Sequence, residues 1–491
     1  MRKLRQLAGQ TTIYGLGTVI PRLLNYLLLT PFYTRVLEQR DYGVFSELYS
    51  YTAILLVLLT YGMETAFFRF SQSEQDPKRV YGTAMTSLFV STSVFVAGML
   101  LFLTPISNLV HYGDHRDYLF YITLIIALDA ITAVSFAKLR YENKALKFAL
   151  IRIANIVVTI GIVLFFLGFC PWLQRHYPNC PVLWVYSPQI GVGYAFLANL
   201  AGSLLQLVLL LPEMFADRPQ FDGKLLGRML VYALPLIIVG LGGAINENAD
   251  KIMLKYLLPA SQAPLAQVGV YAASYKVAVL MLIFVQMFRY AAEPFYFTNA
   301  KDRHAKDLFA EVMKYFVLCG LCIFLGVMLF LDVVKYFIGA HFWSGLRIVP
   351  IILISYLFFG IISNLSIWYK LENKTIYGAA ITAIGAAITI VINYALIPTM
   401  GYMASAWATL ICYAVMMVIS YLWGQRHFRI HYAVGRLTFY FVLAMAIYGF
   451  CALVPLGRWA FAVNLVLVIA FMAFCALRER LWRLRRRRPA A

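Results

Sequence analysis

Long apolar segments follow one another along the whole chain, and they constrain its fold more than any other feature. Runs of roughly 17 to 25 apolar residues, each counted as one membrane crossing, number about fourteen. The composition agrees, because 62% of the 491 residues are hydrophobic and only 13% are charged, unlike a soluble globular protein. The sequence therefore predicts an all-α polytopic membrane protein.

The apolar run over residues 229–258 carries charges where lipid is expected. Such groups cost several kcal/mol in a bilayer unless they face a bundle interior, a wet cavity or a partner. At helical spacing Gly243, Glu247 and Lys251 share one stripe, and Asp250 lies on the adjoining one. Two interpretations stay open: a neutralised Glu247–Lys251 pair that only holds helices together, and a helix that lines a polar cavity in a transporter.

The basic residues are concentrated on one side of the predicted membrane. The chain has 42 Lys and Arg against 22 Asp and Glu, a formal net charge of +20. Alternate loops differ about threefold in positive charge, and the positive-inside rule assigns the richer side to the cytoplasm. Both termini are therefore predicted to be cytoplasmic, with the basic tail beside anionic lipid headgroups. No nucleic-acid partner is needed to explain the charge.

Two sequence patterns recur at a spacing of about 230 residues, which indicates an internal repeat. Lys-Leu followed by Glu-Asn-Lys occurs within residues 138–144 and again within 370–374, and Tyr42-Gly43-Val44-Phe45 resembles Val268-Gly269-Val270-Tyr271. Six crossings separate the copies, so both enter the membrane in the same direction, as in parallel repeats around a central site. The predicted divisions are an N-lobe of spans 1–6 (1–212), a C-lobe of spans 7–12 (213–424), spans 13–14 (425–478) and a basic tail (479–491).

Two signatures resemble those of polysaccharide flippases in the multidrug/oligosaccharidyl-lipid/polysaccharide exporter superfamily. They are Asn393–Gly401 running into Ala404–Thr409, and Thr34–Leu37 followed by Asp41–Gly43. The resemblance implies a protein of the bacterial inner membrane that flips an undecaprenyl-diphosphate-linked oligosaccharide to the periplasmic leaflet by alternating access. It also implies a role in surface polysaccharide or lipopolysaccharide (O-antigen) synthesis, with a polymerase or other assembly proteins as partners.

Four polar residues in the predicted spans are candidates for substrate binding. Arg22 and Lys276 have no acid within one turn on their own helices, so each requires a partner helix, a wet cavity or an anionic ligand. Arginine suits a diphosphate because its planar fork binds phosphate oxygens in pairs. Arg22, Asn25, Lys251 and Lys276 are therefore expected to contact the substrate, and an interhelical ion pair is the alternative for each cation.

Other charged residues are candidates for coupling or gating. Glu64 with Arg69, and Arg289 with Glu293, are expected to form gate or helix-end pairs near the cytoplasmic side. The full set is Glu64, Arg69, Asp129, Glu247, Asp250, Arg289 and Glu293. Coupling to H⁺ or Na⁺ stays open, and no metal site or other cofactor is expected.

Cys170 and Cys180 flank the outer loop between spans 5 and 6, on the side where disulfides persist. They are candidates for a bridge that closes a short loop.

Two other functions compete with the flippase: a drug/cation antiporter of the same superfamily, and a membrane polymerase or glycosyltransferase. The longest outer loop, about residues 171–188, contains no carboxylate for catalysis, which disfavours an enzyme. An antiporter favours an acid-rich lumen with few cations, whereas this chain places Arg22, Lys251 and Lys276 in its spans.

Overall fold

The computed structural model describes residues 21–486, except 22, 75, 217–219, 301–303, 373, 455 and 456. No strand occurs among these residues, and thirteen helices are long and apolar enough to cross a membrane. The predicted all-α membrane fold is thus confirmed. Residues 11–20 and 22 of the first predicted span (11–36) lie outside the described residues, so the fourteenth crossing stays a prediction.

The chain forms two compact units, the first comprising residues up to Ala272 with Asn393–Gly401, and the second the remainder. In the first unit, a π-helical turn (Asn25–Leu29) precedes α1. Its helices are α1 (Thr30–Val36), α2 (Gln39–Thr60), α3 (Met63–Ser73), α4 (Pro77–Leu101), α5 (Leu103–Leu109), α6 (Arg116–Tyr141), α7 (Ala145–Val163), α8 (Cys170–His176), α9 (Gly193–Met214) and α10 (Gly223–Leu257).

Helix α11 (Pro264–Asn299) begins in the first unit and continues into the second. The later helices are α12 (Ala305–Leu329), α13 (Leu331–Val334), α14 (Val349–Leu365), α15 (Ile367–Leu371), α16 (Thr375–Met400), α17 (Tyr402–His427), α18 (Val434–Leu453) and α19 (Ala460–Arg486). Helix α16 ends in the first unit, because Asn393–Gly401 belong to it.

Local sequence explains several helix boundaries. The Asp222 carboxylate accepts hydrogen bonds from the backbone N–H groups of Lys224 (2.9 Å) and Leu225 (3.2 Å), which caps α10. Asp76 caps α4 in the same way. Tyr61 and Gly62 have φ of 32° and 71°, so this left-handed pair ends α2 and redirects the chain into α3.

The core of the first unit includes α10. Fully buried side chains of α3, α4 and α6 pack with those of α10, including Met63, Phe67, Val80, Val134 and Met229. The helix that starts the predicted C-lobe therefore packs against helices of the predicted N-lobe. The lobe boundaries drawn from the repeat stay a prediction, since packing and sequence repetition are different properties.

Two glycines matched by the repeat meet at a helix crossing inside the first unit. A Cβ on Gly43 would overlap the carbonyl oxygen of Leu265, and a Cβ on Gly269 would overlap that of Gln39. Each glycine thus contacts the residue four positions before the other. Such close backbone approach requires small residues. The reciprocity is what an approximate two-fold relation between the copies produces.

The lysines of the two Glu-Asn-Lys motifs make the same backbone hydrogen bond, each in its own unit. Lys144 N–H donates to the Leu139 carbonyl at 2.9 Å, and Lys374 N–H donates to the Tyr369 carbonyl at 2.7 Å. Both are six-to-one hydrogen bonds that close the end of a helix. The spacing between the loops is the same 230 residues that the sequence repeat shows (144 to 374).

A buried ionic cluster anchors the last helix in the second unit. Lys314 of α12 pairs with Glu479 of α19, which also accepts a 2.9 Å hydrogen bond from the Tyr440 hydroxyl. Asn464 Nδ2 donates to the Leu329 carbonyl at 2.5 Å. Because breaking a buried pair leaves a charge in a low-dielectric interior, this cluster fixes α19 against α12.

Candidate functional site

The leading predicted substrate contact, Arg22, lies outside the described residues. Asn25 is described, and its side chain is exposed on the π-helical turn before α1. Lys276 is half-buried on α11 in the second unit. Lys251 is buried on α10 in the first unit.

The polar residues of α10 form hydrogen bonds and an ion pair with one another, and one of them contacts α11. Lys251 Nζ lies 3.2 Å from Asp250 Oδ1 and donates to the Glu247 carbonyl at 2.8 Å. The Tyr271 hydroxyl donates to Asp250 Oδ2 at 2.5 Å. Asp250 is therefore compensated by an ammonium and a hydroxyl, whereas the Glu247 side chain is exposed. This geometry favours a helix-fastening role for Asp250 and Lys251.

A stronger cluster at the same end of the first unit centres on Glu47, and sequence reasoning missed it. Lys255 Nζ lies 3.1 and 3.2 Å from the two Glu47 oxygens and donates to the Val110 carbonyl at 2.7 Å. The Tyr112 hydroxyl also donates to Glu47, which is 0% exposed. We call Glu47, Lys255, Tyr112 and Val110 the Glu47 lock. It joins α2, α10 and the segment after α5.

The Glu47 lock lies on the same helix as Gly43, one turn further along α2. The glycine crossing brings α2 and α11 into backbone contact, and the lock adds α10. This end of the first unit is therefore closed by packing and by a buried ion pair. The only sequence signals were a lone acid and a lone lysine inside apolar segments, 208 residues apart.

Glu64 does not pair with Arg69, contrary to the expected gate pair. Its carboxylate lies 2.7 Å from the guanidinium of Arg140, at the end of α6. Arg69 instead lies over the Tyr232 ring, 4.2 Å from its centroid. The expectation failed because residues five apart on a helix point in different directions.

Arg289 and Glu293 do not pair with each other either. The Glu293 carboxylate instead forms an ion pair with Lys370 of α15. Arg289 makes no hydrogen bond or ion pair with any residue that the structure describes. It lines a polar pocket together with Lys370, Tyr296 and Asn364. The Tyr296 hydroxyl donates a 2.5 Å hydrogen bond to the Asn364 side-chain oxygen. The space left in the pocket holds about one water molecule.

Asp129 lies in the middle of α6 and is not part of an ion pair within the described chain. Its Oδ1 accepts a 2.8 Å hydrogen bond from the Ser203 hydroxyl of α9. The hydroxyls of Tyr33 and Tyr49 are buried and have no hydrogen-bond partner among the described residues. Tyr49 lies within electrostatic range of both Tyr33 and Asp129.

Cys170 and Cys180 are free thiols in the structure, the first buried and the second half-buried. The bridge between them stays a prediction. Among the described residues, no group of three or more His, Cys, Asp or Glu could hold a metal ion.

An apolar cavity of about 320 Å³ lies in the second unit, beside the C-terminal helices. Side chains from α12, α14, α17 and α18 line it, among them Met313, Phe358, Met417, Leu437 and Phe441. Its walls are almost entirely hydrocarbon, so it suits an aliphatic chain and not a sugar or a phosphate.

Thirteen described helices that are long and apolar enough to cross a membrane define a polytopic membrane protein. Residues 7–300, more than half of the chain, match the family described as polysaccharide biosynthesis protein, and the chain belongs to this family. No curated protein matches the chain significantly.

Two solved structures with a similar fold are described as a flippase and a multidrug transporter. The lipid II flippase MurJ in an inward closed conformation is 13% identical, with a TM-score of 0.71 over 96% of this chain and 99% of that one. An inward-facing multidrug resistance MATE family transporter of the MOP superfamily is also 13% identical, with a TM-score of 0.63 over 85% and 94%. The chain therefore has the fold of this superfamily, as the sequence signatures indicated.

Proposed function

We propose that this protein flips a lipid-linked oligosaccharide, carried on undecaprenyl diphosphate, from the cytoplasmic to the outer leaflet of the bacterial inner membrane. Membership in a polysaccharide biosynthesis family supports a glycan substrate, and the transporter fold supports movement without chemistry. The product would serve surface polysaccharide or O-antigen synthesis, handed to a polymerase or other assembly protein. Both termini would be cytoplasmic.

The observation that carries this proposal is the unpaired guanidinium of Arg289. A cation inside a membrane protein requires an anion or water nearby, and here no acid of the described chain serves it. Lys370 lines the same pocket but forms an ion pair with Glu293. A diphosphate entering the pocket would bind Arg289 bidentately and draw Lys370 away from Glu293.

Both parts of such a substrate would have a place in the second unit. The pocket at Arg289 provides cationic and hydrogen-bonding groups for the diphosphate. The 320 Å³ apolar cavity provides a surface for part of the polyprenyl chain. The pocket is nearly full in this conformation, so ligand entry would require Glu293 and Lys370 to separate.

Alternating access would then require the Glu47 lock to open. One end of the first unit is closed here by the glycine crossing and by the Glu47–Lys255 pair. In the opposite state α2 and α10 would part, and both charges would be exposed to water or to new partners. Opening would therefore exchange a buried ion pair for two hydrated charges.

Reconstitution tests the proposal directly. Liposomes containing the purified protein receive a short fluorescent polyprenyl-diphosphate oligosaccharide in both leaflets, and an impermeant reductant then bleaches the outer leaflet. Flipping is expected to bleach nearly all the dye, whereas protein-free liposomes keep about half. Retention of that half in protein liposomes would contradict the proposal.

A drug/cation antiporter is the second candidate, and the unpaired Asp129 is the observation that favours it, since a carboxylate attracts cationic cargo. Liposomes loaded with a fluorescent organic cation and given a Na⁺ or H⁺ gradient distinguish the two functions. A flippase would move the lipid probe and not the cation; an antiporter would do the reverse.

A further inference from the structure

One helix of the first unit extends well beyond the neighbour that it packs against. Helix α7 continues through a π-helical turn (Leu164–Phe169) into α8, and it runs antiparallel to α9. Two contacts set the register of the pair: Lys147 with Glu213 near one end, and the Phe166 ring stacked on the Tyr194 ring at 4.4 Å near the other. Helix α8 ends ten residues after Phe166, about 15 Å further along the axis.

The length of α9 sets the depth of the loop that precedes it. Its 22 residues span about 33 Å, which matches a hydrocarbon core of about 30 Å. Tyr194 is the second residue of α9, so the end of α8 and the loop that returns from it (177–192) lie beyond the core, at the depth of the lipid headgroups. This loop is on the side predicted to be extracytoplasmic, and it contains no charged residue.

The fold holds this loop in place from both ends. Ser187 N–H donates to the Tyr194 hydroxyl at 2.7 Å, and the Tyr186 ring stacks on the Tyr194 ring at 5.6 Å. Earlier in the loop, the 3₁₀ turn Pro181–Val185 packs against α8. We call Pro181–Val185 the outer turn. Its side chains are therefore presented at a fixed place beside the end of α8.

The outer turn exposes apolar side chains where a charged or polar loop is usual. Trp184 is 88% exposed and Val185 is 64% exposed. The turn lies beside the end of an exposed apolar stripe on α7 and α8, which continues through the π-helical turn and comprises Leu146, Leu150, Val157, Leu164, Phe169 and Trp172. Exposed hydrocarbon of this extent on a membrane-spanning helix faces lipid. The apolar surface of the outer turn is thus continuous with a lipid-facing surface.

We propose that the outer turn inserts Trp184 and Val185 into the phospholipid interface of the leaflet on this side. An indole ring has an apolar body and one polar N–H group, so it is stable where hydrocarbon meets the headgroups. A bound glycan needs hydrogen-bonding side chains for its hydroxyls, whereas the neighbours of Trp184 in the turn are valine, leucine and proline. The inserted turn anchors the ends of α8 and α9 at a fixed depth. This role is independent of what the protein transports.

Tryptophan quenching of the full-length protein in lipid nanodiscs tests the insertion. The emission spectrum of Trp184→Phe is subtracted from that of the wild type, and the difference reports Trp184. The substitution is expected to leave the fold intact, because the side chain is exposed. The difference emission is expected to lie to the blue of tryptophan in water. Phosphatidylcholine brominated on its acyl chains should quench it several-fold more than aqueous iodide does.

Trp368→Phe is the matched control, because Trp368 is 2% exposed inside the second unit. Its difference emission should resist both quenchers. Stronger quenching of the Trp184 emission by iodide than by brominated lipid would overturn the proposal. Resistance to both quenchers, as for Trp368, would also overturn it, because Trp184 would then be covered by protein. Protection from iodide that appears only when a soluble oligosaccharide is added would assign the turn to a glycan and overturn the proposal as well.

Discussion

The two copies of the predicted repeat make comparable ion pairs but differ in their remaining charges. In each copy an acid of an early helix binds a cation beside the Glu-Asn-Lys loop: Glu64 with Arg140, and Glu293 with Lys370. The first copy adds a carboxylate in the middle of α6, Asp129, which makes no ion pair within the part of the chain that the structure describes. At the 230-residue spacing the second copy has Phe359 there (129 to 359), packed against Tyr413.

The second copy has the opposite addition. Arg289 lines its polar pocket without a partner among the described residues. The spacing between Glu64 and Glu293 places Thr60 of the first copy at the position that corresponds to Arg289. The shared ion pairs therefore stabilise each copy, whereas Asp129 and Arg289 have no counterpart in the other copy. On the function proposed above, the anionic diphosphate would bind in the second copy, at Arg289.

The largest loss of stability is expected from a change in the Glu47 lock. The lock has no equivalent in the second copy, because the spacing between Gly43 and Gly269 places Ala273 at the position that corresponds to Glu47. Glu47→Gln leaves the Lys255 ammonium buried, and we expect a loss of about 3–5 kcal/mol in unfolding free energy. Denaturation of the purified protein in detergent measures it. Glu47→Gln combined with Lys255→Gln should recover part of the loss.

Glu64→Gln is the control for the Glu47 variant, because its ion pair with Arg140 is 43% and 38% exposed. Exposed pairs contribute about 0–1 kcal/mol. Equal losses of unfolding free energy for the two substitutions would contradict the prediction that the buried Glu47 pair contributes more than an exposed pair.

The equivalence of the copies is tested by Gly43→Ala and Gly269→Ala. Each adds a methyl group that overlaps a backbone carbonyl oxygen, and each should destabilise the protein by about 1–3 kcal/mol or more. Gly243→Ala meets no atom within 4 Å and should be neutral or slightly stabilising. Thermal unfolding followed by intrinsic fluorescence compares the three. A large effect at Gly43 and none at Gly269 would break the predicted symmetry.

The smallest effect is expected at Asp222, where α10 starts. Backbone N–H groups of the helix, Leu225 first, hold the pKa of this carboxyl below its usual value. Its contribution to stability is therefore complete above the ordinary aspartate pKa of about 4 and is lost as pH falls through the lower folded pKa. Asp222→Asn keeps a capping side chain and loses the charge.

Melting temperatures across pH 3–7 check the Asp222 prediction. The wild type should exceed Asp222→Asn slightly at neutral pH, and the two curves should converge at the acidic end. A difference that does not change with pH would contradict the electrostatic explanation.

Sequence patterns predicted the helices because a membrane-spanning helix depends on local composition and on spacing. The Gly43 and Gly269 match was visible in the sequence, and it lies at the helix crossing in the structure. Ion-pair partners were not predictable, since they depend on which helices pack together. Glu293 had Arg289 one turn away but paired with Lys370, 77 residues distant. The Glu47 lock escaped notice for the same reason.

The measurement that tests the account most directly is binding of undecaprenyl diphosphate, without sugar, to the protein in nanodiscs by native mass spectrometry. Arg289→Gln should weaken binding about tenfold or more, because it removes the unpaired charge and the bidentate fork. Arg69→Gln, whose guanidinium packs on Tyr232 in the first copy, should bind like the wild type. Wild-type affinity in Arg289→Gln, or an equal loss in both variants, would contradict the assignment of the anion to the second copy.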